Sequence, residues 1–385
     1  MSMTGARSYF ALGGLLLIIG IGVPLSWLFN HLGGPSVPLG DASAQPRLAW
    51  FYKPPADGDL TTLARAFDFY VLTKNDEWAR EALRTAGEGG PFLQYLLFTE
   101  VVEPEGCWAQ PWRNQVADRV GDFCMLLEEH PDWFLRDVNG ALISNVTDEG
   151  QRYVMMDPGH PGWRAFWLER AAAMQAELGY DGVFLDNVEA SLSKIRNAGH
   201  TVAAYPDDAS YQDAVAGFLE YLYTGYFAPE GRLLYANIIA HRGFDAVWER
   251  YLQYLHGAMD ETWAVDWNDG YLQPHEWLGH LERAERIQGL GKDVILVAQG
   301  VQGDEARQTF AYASYLLVNT GRALFRYADA RGAYDQMWLY PNYELDLGEP
   351  LGERRCTEEW LCERAYANGW VWVRGDARSA DIAPY

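Results

Sequence analysis

Basic residues are scarce in this chain, because 30 Lys and Arg stand against 53 Asp and Glu over 385 residues, for a net charge of −23. Nucleic acids and anionic membrane surfaces repel a protein of that sign. The charge balance therefore excludes nucleic acid as a partner. Aromatic residues are plentiful by contrast, with 16 Trp and 23 Tyr. Their flat faces can stack on sugar rings, although most such side chains belong to cores.

The chain also lacks the signatures of several kinds of active site. It has no CxxC pair, no His-rich spacing, no nucleophile elbow and no Gly-rich phosphate turn. We therefore expect no metal, no cofactor and no Ser-His-Asp chemistry. The four cysteines suit an oxidising compartment. Among three possible connectivities, Cys356 with Cys362 and Cys107 with Cys124 form a plausible set of pairs.

Charge is absent from one long stretch, residues 9–29. Twenty-one residues at about 1.5 Å each span roughly the 30 Å of a bilayer core. Arg7 is the only basic residue before this run, which predicts a cytoplasmic N-terminus and a protein body outside. A signal peptide cleaved near residues 42–44 is the alternative, but that site lies well beyond the apolar run. We expect a signal anchor over residues 1–32 and a linker over 33–46, with the protein membrane-anchored, or secreted if the segment is cleaved.

The rest of the chain is organised around residues 179–187, GYDGVFLDN. Their apolar centre contains no alternating polar residue, which is typical of a strand buried on both faces of a parallel sheet. The strand ends in Asp186, and barrel enzymes keep their catalytic groups at the carboxyl ends of parallel strands. An amphipathic helix over residues 162–178, stopped by Gly179, precedes the strand and completes one αβ step.

The same step recurs along the chain. Eight strand candidates with intervening helices, over about 280 residues, predict an α/β fold of the (β/α)8 barrel type. We expect this barrel over residues 47–330 and a small C-terminal cap over residues 331–385, packed on the barrel. A doubly wound sheet is the rival architecture. The strand candidates are residues 48–52, 67–72, 92–98, 180–186, 232–237, 257–261, 293–299 and 323–327.

Polar side chains collect at the carboxyl ends of these strands. Two carboxylates that face each other across a pocket are the apparatus of glycoside cleavage. We assign Asp186 as nucleophile or base, kept ionised by hydrogen bonding beside Asn187. Glu261 is the predicted acid and Asp260 the alternative, because side chains alternate along a strand and only one of the two can point into the mouth.

Further strand-end and aromatic residues are candidates for substrate binding. Asn237 and Gln299 end two strands and either line the mouth or brace its loops. Trp263 is a candidate sugar platform, with core packing as the alternative. The predicted substrate-binding set is Tyr52, Lys53, Asn187, Asn237, Asp260, Trp263, Gln299 and Arg326.

Five segments carry a resemblance to a known family. They are WFYKPP at 50–55, WFLRD at 133–137, MDPG at 156–159, DGVFLDN at 181–187 and NGWV at 368–371. The chain resembles glycoside-hydrolase-like family fifteen and, more distantly, is similar to barrel families acting on α-galactosides, in which a nucleophilic Asp ends the fourth strand. The resemblance implies a (β/α)8 glycosidase fold acting on an extracellular carbohydrate. Of the site residues, it carries over Asp186.

The leading hypothesis is therefore an extracytoplasmic glycoside hydrolase that cleaves a polysaccharide or oligosaccharide with Asp186 and Glu261. The alternative is a non-catalytic carbohydrate-binding protein on the same barrel, which needs no second carboxylate within reach. The separation of the two carboxyl groups distinguishes these hypotheses. About 5–5.5 Å is typical of a retaining glycosidase and about 6.5–9.5 Å of an inverting one.

Overall fold

A computed structural model of the chain describes residues 45–147, 150–240, 245–267, 270–331, 334–357 and 360–385. These residues belong to one compact unit. The predicted anchor at 1–32, and the linker up to residue 44, lie outside the described residues. Among the helices of the described ranges, none is long and apolar enough to cross a bilayer.

The secondary structure alternates strands and helices, as the sequence predicts. In chain order, the strands are β1 (Ala49–Phe51), β2 (Phe69–Leu72), β3 (Phe92–Leu97), β4 (Glu100–Val102), β5 (Ser144–Val146), β6 (Arg152–Met155), β7 (Gly182–Glu189), β8 (Leu233–Ile239), β9 (Gly257–Asp260), β10 (Asp293–Gly300), β11 (Ala323–Asp329), β12 (Arg355–Cys356), β13 (Leu361–Tyr366), β14 (Gly369–Arg374) and β15 (Ser379–Pro384). The α-helices are α1 (Leu60–Ala66), α2 (Glu77–Thr85), α3 (Asp122–Glu129), α4 (Pro161–Leu178), α5 (Ser193–Asn197), α6 (Asp208–Leu222), α7 (Asp245–Leu252), α8 (Pro274–Gly289) and α9 (Glu305–Val318). Single turns at Lys74–Asp76, Pro131–Trp133 and Pro341–Glu344 are 3₁₀-helical, and Tyr223–Phe227 extends α6 as a π-helical turn.

Eight parallel strands form a nearly closed barrel in the order β1-β2-β3-β7-β8-β9-β10-β11. A single parallel bridge between Leu48 and Phe325 brings the first and last strands together. All eight predicted strands are present. The (β/α)8 prediction is thus confirmed at the level of the barrel.

The barrel strands are buried on both faces, which explains their continuous apolar runs. Their outward side chains pack under the helices, while their inward side chains form a separate core. The inward core includes Phe51, Val71, Tyr95, Phe184, Tyr235, Met259, Val297 and Leu324.

Helix α4 supports the strand that carries Asp186. Pro161 begins the helix, where its missing N–H is no loss, and Gly179 ends it with φ 66°. Trp163 and Trp167 are fully buried, and Trp167 Nε1 donates to the carbonyl oxygen of Leu97, 3.1 Å away. The helix is therefore fixed against the neighbouring strand β3.

A long insertion separates β3 from β7. The sequence predicts a loop with helical turns over residues 107–151, and the structure contains α3 there. It also contains a small antiparallel sheet in the order β4-β6-β5, which the sequence does not reveal because two of these strands are only three residues long. A disulfide between Cys107 and Cys124 closes the first part of the insertion.

The C-terminal segment forms a four-stranded antiparallel sheet, β12 to β15. The sequence leaves residues 360–366 open between helix and strand, and in the structure Leu361–Tyr366 form strand β13, whose side chains are alternately buried and exposed. Arg364 Nη1 donates to the carbonyl oxygens of Leu316 and Asn319 at 3.0 and 2.7 Å, which holds the sheet on the end of α9. Cys356 and Cys362 form the second disulfide. The domain boundary at residue 330 stays a prediction.

Candidate active site

Three neighbouring strands place polar side chains at the mouth of the barrel. Asp186 lies near the carboxyl end of β7, Asn237 lies in β8, and Glu261 follows β9 directly. Because β8 pairs with both β7 and β9, these three side chains are brought together. Asp186 and Glu261 are both partly exposed.

The Asn237 side chain bridges the two carboxylates. Its Nδ2 donates to Asp186 Oδ1 at 3.1 Å and to Glu261 Oε2 at 2.8 Å. An amide nitrogen carries two hydrogens, so both bonds can form together. Since the two bonds laid end to end reach 5.9 Å, the accepting oxygens are no farther apart than that. Asn237 is only 3% exposed, which fixes the bridge in place.

Asp186 is oriented by a second donor. The hydroxyl of Tyr95 donates to Asp186 Oδ2, and the Tyr95 ring stacks on Tyr52 with centroids 4.9 Å apart. Burial, together with the charge of Asp186, raises the pKa of Tyr95 well above its usual value, so the phenol remains a donor. Both oxygens of Asp186 therefore accept a hydrogen bond from a neutral side chain.

Glu261 lies in a different environment. The hydroxyl of Tyr334 donates to Glu261 Oε1 at 2.6 Å, and Gln299 Nε2 donates to that same hydroxyl at 2.7 Å. Burial, reinforced by the negative charge of Asp186, raises the pKa of Glu261 to about 7. A carboxyl group with that pKa can hold a proton at neutral pH and release it in a reaction.

Asp260 points away from the mouth. Its Oδ2 lies 2.8 Å from His280 Nδ1 and 3.6 Å from Arg283 Nη1, both on α8. Burial alone would raise the pKa of Asp260, but His280 and then Arg283 hold it well below its usual value. Strand alternation thus places Glu261 inside and Asp260 outside, so the prediction that Asp260 contacts substrate is corrected.

Two further predicted residues lie outside the mouth. Trp263 is fully buried and donates from Nε1 to the carbonyl oxygen of Ala311 on α9, at 3.1 Å. It is a core residue and not a sugar platform. Arg326 is 3% exposed and lies over the Trp50 ring, 3.9 Å from its centroid.

Arg326 also donates to the carbonyl oxygens of Tyr334 and Gln336, at 2.6 and 3.2 Å. Burial lowers the pKa of its guanidinium to about 9. Arg326 therefore holds the segment that delivers Tyr334 to the mouth, which corrects its prediction as a substrate contact.

The structure places the other predicted residues at or near the mouth. Tyr52 is partly exposed, and the ammonium of the exposed Lys53 lies 5.2 Å from its ring centroid. Gln299 is buried and braces Tyr334. Asn187 donates to Glu100 Oε2 at 2.6 Å and not to Asp186. The side-chain hydrogen bonds expected from Asn187 to Asp186 come instead from Tyr95 and Asn237.

Several aromatic residues of the mouth escape the sequence analysis. They are Trp112, Tyr153 and Tyr334, which, like the predicted Tyr52, are partly buried and pack on the interior core of the barrel. Trp112 meets Tyr95 edge-on with centroids 6.1 Å apart. Strand alternation could have revealed Tyr95, because it faces inward on β3, but Tyr334 follows the end of β11 by five residues and carries no local signal.

Comparison with known proteins agrees with this architecture. Residues 111–370, more than half of the chain, match the hypothetical glycosyl hydrolase family 15. Among curated proteins, none is similar enough in sequence to count as a match.

Two solved structures illustrate the similarity of fold. The glycoside hydrolase domain of PelA from Pseudomonas aeruginosa is 16% identical, with a TM-score of 0.50, over 76% of this chain and 97% of that one. The GH31 dextranase of Flavobacterium johnsoniae, complexed with glucose, is 9% identical, with a TM-score of 0.51, over 89% of this chain and 52% of that one. At these identities the similarity concerns the fold alone. The match over residues 111–370, by contrast, is a match of the sequence itself to a family, and it shows that the chain belongs to the hypothetical glycosyl hydrolase family 15.

Proposed function

We propose that the protein is an extracytoplasmic glycoside hydrolase that cleaves a polysaccharide or oligosaccharide, with Asp186 as nucleophile and Glu261 as acid. The observation that carries this proposal is the Asn237 amide, which hydrogen-bonds to both carboxylates at 3.1 and 2.8 Å across the mouth. A purely carbohydrate-binding barrel has no need of a second carboxylate at that distance. The pair therefore favours hydrolysis over the binding alternative.

The two environments suit the two roles. Protonated Glu261 donates its proton to the leaving oxygen of the glycosidic bond, and Asp186 attacks the anomeric carbon to form a glycosyl ester. Esterification removes the negative charge of Asp186, which is one cause of the raised pKa of Glu261. The pKa of Glu261 then falls, so that Glu261 can accept a proton from the water that hydrolyses the ester.

The spacing of the pair favours retention of configuration. The accepting oxygens lie within 5.9 Å, compared with about 5–5.5 Å between carboxyl groups in retaining enzymes and about 6.5–9.5 Å in inverting ones. The partly exposed rings of Tyr52, Trp112 and Tyr153 supply flat surfaces for sugar rings beside the pair.

The extracytoplasmic location rests on two features. Residues 9–29 form an uncharged apolar run, and the cysteines form two disulfides, Cys107–Cys124 and Cys356–Cys362. Disulfides persist in oxidising compartments. Protease added to intact spheroplasts that express the full chain should digest the barrel. Digestion only after lysis would place the barrel in the cytoplasm.

The test of the activity is sugar release from a panel of polysaccharides by the full-length protein. Asp186→Asn removes the nucleophile and should abolish release. Asp181→Asn makes the same chemical change at the other end of β7, where Asp181 accepts from the backbone N–H of Phe92 at 2.8 Å, and should leave release unchanged. Unchanged sugar release by Asp186→Asn would contradict the assignment of Asp186 as the nucleophile. Binding of a glycan by wild type and Asp186→Asn, with no release by either, would favour the binding protein.

A further inference from the structure

We infer that Glu100 is a positioning residue for Asp186, acting through its hydrogen bond to Asn187. This inference rests on the proposed function, because it explains how the proposed nucleophile is aimed. Glu100 itself does not reach the mouth, since it is 3% exposed and its side chain is occupied by other protein groups. Its influence therefore passes through the backbone of β7.

A β-bulge interrupts β7 at Asp186. Leu185 pairs with Ala236 of β8, but the next pair is Val188 with Ile238, so β7 has one extra residue there. Bulges re-aim side chains and are common beside active sites. Asp186 keeps its place opposite Leu97 of β3 and faces inward two residues after the inward-facing Phe184, while the extra residue lies directly beside it on the β8 side.

Asn187 maintains the bulge with an unusual backbone conformation. Its φ is 59°, in the left-handed region, which most residues with a side chain adopt only at a cost and Asn tolerates better. An Asn there still needs an anchor to stay in that conformation. The anchor is the bond from Asn187 Nδ2 to Glu100 Oε2, at 2.6 Å.

Glu100 is itself held firmly. Its second oxygen accepts from Asn145 Nδ2 at 2.9 Å, and Lys194 Nζ lies 3.9 Å from the same oxygen. Glu100 and Asn145 belong to β4 and β5, in the small sheet of the insertion. That sheet therefore provides a rigid support for the bulge.

The anchor requires an acceptor oxygen and not a negative charge. Glu189, 6% exposed, is a second buried carboxyl nearby, and Lys194 Nζ lies 3.6 Å from it. One lysine thus lies near two acids, and burial raises the pKa of Glu100. Charge on Glu100 is costly in this setting. Gln keeps a carbonyl oxygen for Asn187, and its amide nitrogen can donate to Asn145 once the Asn145 amide turns its oxygen toward it. Gln should therefore replace Glu100 with little loss of positioning.

The experiment measures kcat and KM for Glu100→Ala, Glu100→Gln, Asn187→Ala and the Glu100→Ala/Asn187→Ala double variant on a glycan that the wild type cuts. A misplacement of about 1 Å in a catalytic group can cost about 100-fold. Glu100→Ala and Asn187→Ala should each lower kcat about 100-fold, with KM changed little. Glu100→Gln should stay within a few-fold of wild type. The double variant should be no slower than either single variant, because both remove the same bond.

Glu103→Ala is the matched control. Glu103 follows β4 and pairs with Arg152 at 2.8 Å, away from the bulge, so kcat should not change. Wild-type kcat in Glu100→Ala, or losses that multiply in the double variant, would overturn the inference. Equal losses in Glu100→Ala and Glu100→Gln would also overturn it, since they would point to charge.

Crystal structures of Glu100→Ala and Glu100→Gln give a readout that needs no activity. Residue 187 should leave the left-handed region in the first variant and keep it in the second. An unchanged bulge in Glu100→Ala would overturn the positioning role whatever the enzyme does. If the bulge moves as expected but the wild type cuts no glycan, the proposed function fails and the structural role of Glu100 stands.

Discussion

Asp260 and Glu261 are adjacent in sequence, yet they lie in opposite electrostatic environments on the two sides of the barrel wall. On the outer side, His280 and Arg283 of α8 lie near Asp260 and hold its pKa well below the usual range. On the inner side, Glu261 accepts hydrogen bonds from the neutral side chains of Asn237 and Tyr334, and burial together with the negative charge of Asp186 raises its pKa to about 7.

The contrast shows that burial does not by itself determine what a carboxyl group can do. Burial disfavours the charged form of both groups, and the sign of the neighbouring charges decides the outcome. His280 and Arg283 favour the ionised form of Asp260, which ties β9 to α8. The negative charge of Asp186 adds to burial and raises the pKa of Glu261, which suits its proposed role as proton donor.

Replacing Glu261 with Gln should cause the largest change. The amide keeps the shape of the side chain but cannot donate the proton, so turnover of a natural glycan should fall by about 10²- to 10⁴-fold. Initial rates of sugar release measure this, and circular dichroism checks that the variant is folded. A Glu261→Gln enzyme with wild-type rates would remove Glu261 from the mechanism.

Asp260→Asn, unlike Glu261→Gln, should lower the stability of the protein and leave its turnover nearly unchanged. It removes the carboxylate that faces His280, while Arg283 keeps Asp245 at 2.7 Å, and breaking a buried charge pair on one side typically costs about 3 kcal/mol of unfolding free energy. Turnover well below the melting temperature should remain within a few-fold of wild type. Urea unfolding measures the loss of stability, and initial rates of sugar release measure the turnover. A loss of turnover without a loss of stability would place Asp260 in the active site.

The pKa of Glu261 predicts two pH dependences. Turnover requires the protonated form, so the rate should fall about tenfold per pH unit above about 7. The free energy of unfolding should also fall as the pH rises from about 4 to 7. In that range the unfolded chain has lost the Glu261 proton while the folded protein still holds it, and the total effect is up to about 3 kcal/mol. Glu261→Gln should gain that amount relative to wild type between pH 4 and pH 8. Parallel stability curves for the two proteins would show that the pKa is not raised.

Tyr334→Phe should produce the smallest change. The Tyr334 hydroxyl stabilises charged Glu261 and so lowers a pKa that burial raises. Its loss should move the alkaline limb of the rate profile to higher pH by less than about one unit, since one hydrogen bond contributes about 1 kcal/mol.

Tyr340→Phe is the control for this change, because Tyr340 donates to the carbonyl oxygen of Gln302 at 2.9 Å and not to an acid. Its alkaline limb should coincide with that of the wild type. A shift to lower pH in Tyr334→Phe would show that Tyr334 stabilises the protonated form of Glu261.

The fold could be predicted from the sequence because barrel strands carry a strong local signal. Residues buried on both faces form continuous apolar runs, and Gly179 marks the end of the helix before β7. The same signal places Asp186 at the mouth, since a strand that ends in a carboxylate points to one end of the barrel.

The rest of the site depends on information that no short segment contains. The segment 257–261 is too short and too weakly patterned to show which face is inner, so Asp260 and Glu261 could not be separated. Trp263 becomes a core residue only because α9 covers it. Tyr334 reaches the mouth because Arg326 of β11 donates a hydrogen bond to its carbonyl oxygen. That contact is part of the tertiary structure and leaves no trace in the local sequence.

The central claim is that Asp186 and Glu261 act as one catalytic pair across Asn237. The most direct test is the turnover of Asp186→Asn, Glu261→Gln and the double variant on a glycan that the wild type cuts. Groups that act as a unit give strongly non-additive losses, so the double variant should be no slower, within a few-fold, than the slower single variant. Wild-type turnover in either single variant, or losses that multiply in the double variant, would contradict the pair.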